Sequence, residues 1–332
     1  MKIFKNFSII LAITLFLVVL TEIGLRCLYY QYRYHSHNRT SIIDSPFAIY
    51  QTLLALQERA RSQTTTSTMV SPSDLFSLKL NTGKHKVRYN YQFLKLGSLR
   101  SKDVIYTITK EGTRSTGIDY NRLDKPDIYI FGCSFTFGAT IDDKFTFPWI
   151  LQSKLRDSYD IVNYGIGGFG TIHSYLQIRH LLKNNKIPKY IVLVFNEFHM
   201  NRNVASPHRL AFSATSLLRA EFDKNQLKII TIDPIPPNIN QPNFSYDHKK
   251  KITLKLISEI KSLCDKNNVT LVIGIQTPLQ DISFLNTFDS MGVSVVDMSL
   301  KLTRKYRQLP FDPHPNEKAN KHYAKALISF FE

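Results

Sequence analysis

The chain has 332 residues with a hydrophobic share of 43%, enough for one large domain or two ordinary ones beside an anchor. It carries 43 basic against 26 acidic side chains, a net charge of +17, which suits nucleic acid, an anionic lipid surface or an anionic polysaccharide. No nucleic-acid signature and no repeat of roughly 20–50 residues is present, so nucleic acid is not an expected partner and a solenoid is excluded. Cys27, Cys133 and Cys264 lie far apart with no CxxC pair, which argues against a disulfide framework and a structural zinc site.

The first element is an apolar run, FSIILAITLFLVVL, followed by Tyr29, Tyr30, Tyr32 and Tyr34. Counted through Leu25 it reaches the roughly 20 residues a spanning helix needs, and the tyrosines fit an interfacial belt. A cleaved signal peptide would need small residues at a cleavage site, whereas TEIGLRC follows. Arg26 before Cys27 also argues against a lipoprotein signal. The expected organisation is a membrane anchor over residues 1–34 (helix about 6–28), a membrane-proximal region and linker over 35–125, and the main domain over 126–332. The Ser/Thr-rich stretch 62–73 reads as a flexible linker, and a short strand is predicted over 104–109.

From residue 126 strands and helices alternate. Short apolar, β-branched runs predict strands over 127–132, 159–164, 190–195, 269–275 and 293–296. Helical periodicity falls between them, over 145–156, 172–183, 250–266 and 316–331. The expected fold class is α/β: a three-layer α/β/α sandwich around a parallel five-stranded sheet. Ligands in such sheets sit at the carboxyl ends of the strands. Residues 200–247, interrupted by Pro207, Pro234, Pro236, Pro237 and Pro242, read as a long irregular insertion beside a strand end.

Three blocks carry chemistry. The first strand runs into Phe131-Gly132-Cys133-Ser134-Phe135-Thr136-Phe137-Gly138, where a serine at a turn can expose its hydroxyl. Its plainer reading is a turn cap. The second strand runs into Asn163-Tyr164-Gly165-Ile166-Gly167-Gly168-Phe169-Gly170, whose glycines let backbone N–H groups approach an oxyanion. Near the end comes Asp312-Pro313-His314-Pro315-Asn316, a base with an acidic neighbour in a stiff loop.

Together these blocks resemble the SGNH/GDSL-like hydrolase superfamily over residues 126–332. The stretch Tyr106 to Gly117, YTITKEGTRSTG, looks like the lead-in of membrane-anchored bacterial envelope members. The resemblance implies a flavodoxin-like fold with Ser134 as nucleophile, His314 as general base and Asp312 as its orienter. It implies an oxyanion hole drawn from Ser134, Gly168 and a third-block donor, for which Asn196 or, alternatively, Asn201 is the substitute. No metal or cofactor is expected. The implied function is a single-pass membrane esterase or O-acyltransferase working through an acyl-serine. The implied substrates are O-acetyl or other ester groups of an acylated carbohydrate, with the hydrolase-like domain on the extracytoplasmic side. The sequence also departs from the pattern. Cys133 stands where the family has aspartate, Phe198 stands at the third-block asparagine, and Asp312 is one residue closer to His314 than usual. Asp297 is a second candidate orienter. The alternative is a catalytically degenerate scaffold that binds a glycan without turnover. A third reading, binding of nucleic acid or anionic lipid through charge alone, predicts steep salt dependence.

Overall fold

The computed structural model describes residues 82–92, 99–118, 125–211, 217–224, 226–232, 242–309 and 312–332, together with Thr21. All of these except Thr21 and Ala211 belong to one compact unit. Apart from Thr21, the apolar run at 6–28 and the linker at 62–73 lie outside the described residues. Among the described residues no helix is long and apolar enough to cross a membrane.

An antiparallel hairpin comes first, β1 (Gly83–Gln92) and β2 (Leu99–Ile108). The α/β region follows, with β3 (Asp127–Phe131), α1 (Ser134–Phe137), α2 (Phe147–Leu155), β4 (Asp160–Asn163), α3 (Thr171–Lys183) and β5 (Tyr190–Phe195). Next come α4 (His199–Asn203), α5 (Pro207–Ala211), β6 (Leu217–Asp223), β7 (Gln226–Ile232) and α6 (Tyr246–Lys266). The chain closes with β8 (Thr270–Ile275), α7 (Ser283–Ser290), β9 (Ser294–Asp297), β10 (Arg307–Leu309), β11 (Asp312–Pro315) and α8 (Glu317–Phe331).

The central sheet has the order β4-β3-β5-β8-β9, and every pairing within it is parallel. Its strands are apolar on both faces because helices cover both faces. Alternate side chains of β5 show this directly. Ile191, Leu193 and Phe195 enter a core shared with Ile178 and Leu181 of α3, Ile257 and Ile260 of α6, and Phe284 of α7. Val192 and Val194 enter the opposite core with Phe147 and Leu151 of α2 and Tyr323 and Leu327 of α8. The expected parallel strands and helices are present within a few residues of their predicted limits.

Two expectations change. Where it is described, the segment after residue 200 is largely regular, while residues 233–241 with Pro234, Pro236 and Pro237 lie outside the described residues. It holds α4 and α5, then the β6–β7 hairpin, whose Leu218 and Ala220 pack on Ile252 and Leu256 of α6. The predicted strand over 104–109 is the second half of a longer hairpin. Its core face, Val104, Tyr106 and Ile108, packs on Phe137 of α1. Bridges from Arg114 to Ile108 and to Asn163 then tie the hairpin to the β4 edge of the sheet.

Candidate active site at the carboxyl edge of the sheet

The strand order reverses between β3 and β5, so the crevice outside their carboxyl ends is the expected ligand position. Ser134 lies there. β3 ends at Phe131, and Gly132 and Cys133 turn the chain into the single-turn helix α1, which starts at Ser134. The turn is tight enough that a Cβ on Gly132 would stand 2.2 Å from Thr136 Oγ1 and 3.2 Å from Val194 Cβ. Gly138 closes the helix at φ 78°, where a Cβ would meet Thr146 Cγ2 at 2.4 Å. Ser134 is 8% exposed, whereas Cys133 is fully buried.

A buried cation holds this helix from behind. Arg114 is 1% exposed and donates to five acceptors. Nη1 reaches Phe137 O at 2.7 Å and Gly138 O at 2.5 Å, the carbonyls that a short helix leaves unsatisfied. Nη2 reaches Ile141 O at 2.6 Å and Ile105 O at 3.3 Å. Nε pairs with Asp143 Oδ1 at 2.9 Å, and that oxygen also accepts from Thr107 N at 3.2 Å. The guanidinium sits 4.3 Å from the Tyr106 ring centroid and 4.7 Å from that of Phe137. The Tyr106–Gly117 stretch therefore braces the turn that presents Ser134, a role its residues did not disclose in the sequence.

The glycine block after β4 lies against the same turn. Ile166 N donates to Gly132 O at 3.1 Å, and Asn163 Nδ2 donates to Thr136 O at 3.1 Å. A Cβ on Gly165 would stand 2.6 Å from Phe137 N, so only glycine permits the approach. Gly168 has φ 83°, the left-handed region that favours glycine. Among the described residues, the backbone N–H groups of Ser134 and Gly168 donate to no other backbone group.

His314 lies on β11, which packs against α1. Its ring meets Phe135 edge to face, with centroids 5.6 Å apart. The expected stiff loop is in fact a short strand paired with β10. Asn316 locks its end: Oδ1 caps α8 by accepting from Lys318 N and Ala319 N, while Nδ2 donates to Lys305 O and Arg307 O. Asp312 is on the same strand, and its side chain lies outside the described residues. Asp297, at the end of β9, is exposed and accepts from Ser299 N at 2.8 Å.

The third block divides its residues between two tasks. Asn196 is fully buried beyond β5, where Nδ2 donates to Gln276 Oε1 at 3.1 Å and Oδ1 accepts from Thr277 Oγ1 at 2.9 Å. These bonds join β5 to the end of β8. Phe198 reaches the other way and meets Phe135 edge to face at 5.6 Å. Phe135, beside Ser134, is therefore flanked by both Phe198 and His314. Among the described residues no cluster of potential metal ligands occurs.

No family model matches the chain, and no curated protein matches it. Solved structures do. A member of the lipolytic protein G-D-S-L family from Veillonella parvula DSM 2008 is 13% identical, with 62% of this chain and 97% of that chain covered at a TM-score of 0.41. The psychrotrophic esterase EstA from Pseudoalteromonas sp. is 12% identical, covering 62% of this chain and 96% of its own at a TM-score of 0.40. A catalytic mutant of an acetylxylan esterase from Geobacillus stearothermophilus is 10% identical, covering 61% of this chain and 93% of its own at a TM-score of 0.40. These three likenesses, at 10–13% identity, are of fold alone.

Proposed function

We propose that this chain is a serine esterase or O-acyltransferase that works through an acyl-enzyme on Ser134. The observation that supports it is the meeting of three separate blocks at one sheet edge. Ser134 opens α1, the Gly165–Gly168 backbone is hydrogen-bonded onto the turn before it, and His314 packs on Phe135. In this reading His314 takes the hydroxyl proton as Ser134 Oγ attacks the ester carbonyl. The N–H groups of Ser134 and Gly168 receive the oxyanion, and the protonated His314 passes its proton to the leaving alcohol. Water or a sugar hydroxyl then takes the acyl group from the serine, giving hydrolysis or transfer. Asp312 or Asp297 orients His314. The substrate is an O-acetyl or similar ester on a carbohydrate of the cell envelope, and residues 6–28 anchor the chain with its hydrolase-like domain outside the cytoplasm.

A pulse of p-nitrophenyl acetate followed by intact-mass measurement tests the reading. An acetyl adduct that maps to Ser134 and disappears in Ser134→Ala is the expected result. One observation favours a second reading, a scaffold that binds a glycan without turnover. The Phe198 side chain has no hydrogen-bonding group, and the Asn196 amide already faces Gln276 and Thr277. Folded protein with no adduct and no turnover on any acetyl ester or acetylated glycan would overturn the enzyme reading and leave the binding scaffold in the lead.

A further inference from the structure

The loop carrying Gly168 is gripped from outside by two arginines. Arg202 of α4 donates from Nη1 to Phe169 O at 2.6 Å, and Arg209 of α5 donates from Nη2 to Gly168 O at 3.2 Å. The Arg202 guanidinium lies 4.6 Å from the centroid of Phe198, which itself contacts Phe135 beside Ser134. Arg202 is therefore linked to the residue beside Ser134 through two aromatic rings, Phe198 and Phe135, while Arg209 holds the Gly168 carbonyl of the same loop.

Among the described residues neither arginine forms an ion pair. Glu197, the nearest carboxylate in sequence, accepts instead from Tyr246 Oη and Gln280 N, each at 2.7 Å. Each guanidinium has five N–H donors, and one carbonyl apiece uses few of them. Arg209 Nε is buried and has no partner. The pair is close enough that Arg202 helps lower Arg209 to about 10, after desolvation, and both help hold the neighbouring His173 neutral. Two adjacent, partly desolvated like charges without a counter-ion are costly, and an anion bound between them offsets that cost.

We infer that Arg202 and Arg209 form an anion subsite beside the Gly168 loop, which takes a carboxylate or phosphate group carried by the ester substrate. The role as a substrate subsite rests on the esterase reading above; the anion site itself does not. Arginine forks match both groups in bidentate geometry. The inference narrows the substrate to an acidic glycan. It also gives part of the +17 charge a location at the site instead of a general surface role.

The test measures binding to the full chain carrying Ser134→Ala, so that it is independent of turnover. The probes are oligogalacturonate, a glycerol phosphate oligomer and a neutral xylo-oligosaccharide. One of the two acidic probes should bind at least about tenfold more tightly than the neutral one, and the better of the two identifies carboxylate or phosphate as the source. Arg202→Gln with Arg209→Gln should remove that preference. Lys301→Gln with Lys325→Gln, which deletes the same charge elsewhere, should keep it. If the glutamine pair does not fold, Arg209→Lys replaces it and should retain a weakened preference, since lysine offers a point charge without the fork. Equal affinity for all three probes overturns the inference, as does an equal loss in the arginine and lysine variants. Either result leaves the acyl-enzyme experiment untouched, and absence of an adduct leaves the binding result standing.

Discussion

Arg114 couples the hairpin to the turn that presents Ser134, so its removal should act on both stability and rate. Arg114→Met leaves Asp143 buried without its cation and several carbonyls without a donor. Breaking a buried pair from one side costs about 3–5 kcal/mol, which chemical denaturation would record as a fall in midpoint. Any ester turnover that remains should show a lower kcat with KM little changed, because the misplaced group is the attacking one. At the third block, Phe198→Asn places an amide beside Phe135 and should keep or raise the esterase rate. Asn196→Ala separates two outcomes. A loss of about 10²-fold with folding intact would mean that Asn196 is an oxyanion donor. A lowered melting temperature with the rate retained would mean that its bonds to Gln276 and Thr277 are its whole contribution.

At the scale of elements, α3, α4 and the glycine loop share two histidines that the fold keeps neutral. His173 Nδ1 accepts from Gly170 N at 3.1 Å, and its ring stacks on Phe169 at 4.4 Å. Desolvation, then Arg209 and Arg202, lower His173 from 6.5 to about 3. Burial, then Arg202 and His173, push His199 well below its ordinary value. An unfolded histidine takes up its proton near pH 6.5. At these histidines the unfolded chain therefore binds more protons than the folded one between about pH 6.5 and 3, and the stability they contribute falls as pH falls through that window. Urea midpoints measured from pH 7 to 4 should show this decline. His199 Nε2 is buried without a partner, so His199→Leu should flatten the decline and cost little at neutral pH. An unchanged slope would mean that other groups govern acid stability.

At the scale of the whole molecule, hydrogen bonds join the hairpin to the α/β region within one compact unit. Ile105 N donates to Asp142 Oδ1 at 2.8 Å, Thr140 N to Tyr106 Oη at 2.8 Å, and Thr116 Oγ1 to Ile161 O at 2.6 Å. A fragment of residues 126–332 loses Arg114, the hairpin core and all these bonds, although it holds every predicted site residue. It should be aggregated or molten, with cooperative thermal unfolding absent. A fragment of residues 82–332 should unfold cooperatively. Cooperative unfolding of the shorter fragment would show that the hairpin is dispensable.

The alternation of apolar strands and amphipathic helices after residue 126 was legible because it is local. A strand covered on both faces must be apolar at every position, as β5 is, and an amphipathic helix shows its period in its own residues. The serine and glycine blocks were legible for a related reason: each follows the end of a parallel strand, and strand ends follow from the same pattern. What distant segments do to one another was not legible. The five bonds of Arg114 join residues 105, 137, 138, 141 and 143, and no spacing in the chain announces them. The β6–β7 hairpin was hidden among prolines because its apolar face is completed by α6. The meeting of Arg202 with Arg209 and the turning of Asn196 toward Gln276 depend on how α4 and α5 fold back beside the glycine loop. Local periodicity determined the elements and their order; only tertiary packing decided which polar side chains are braces, which face the edge of the sheet, and which remain unbalanced.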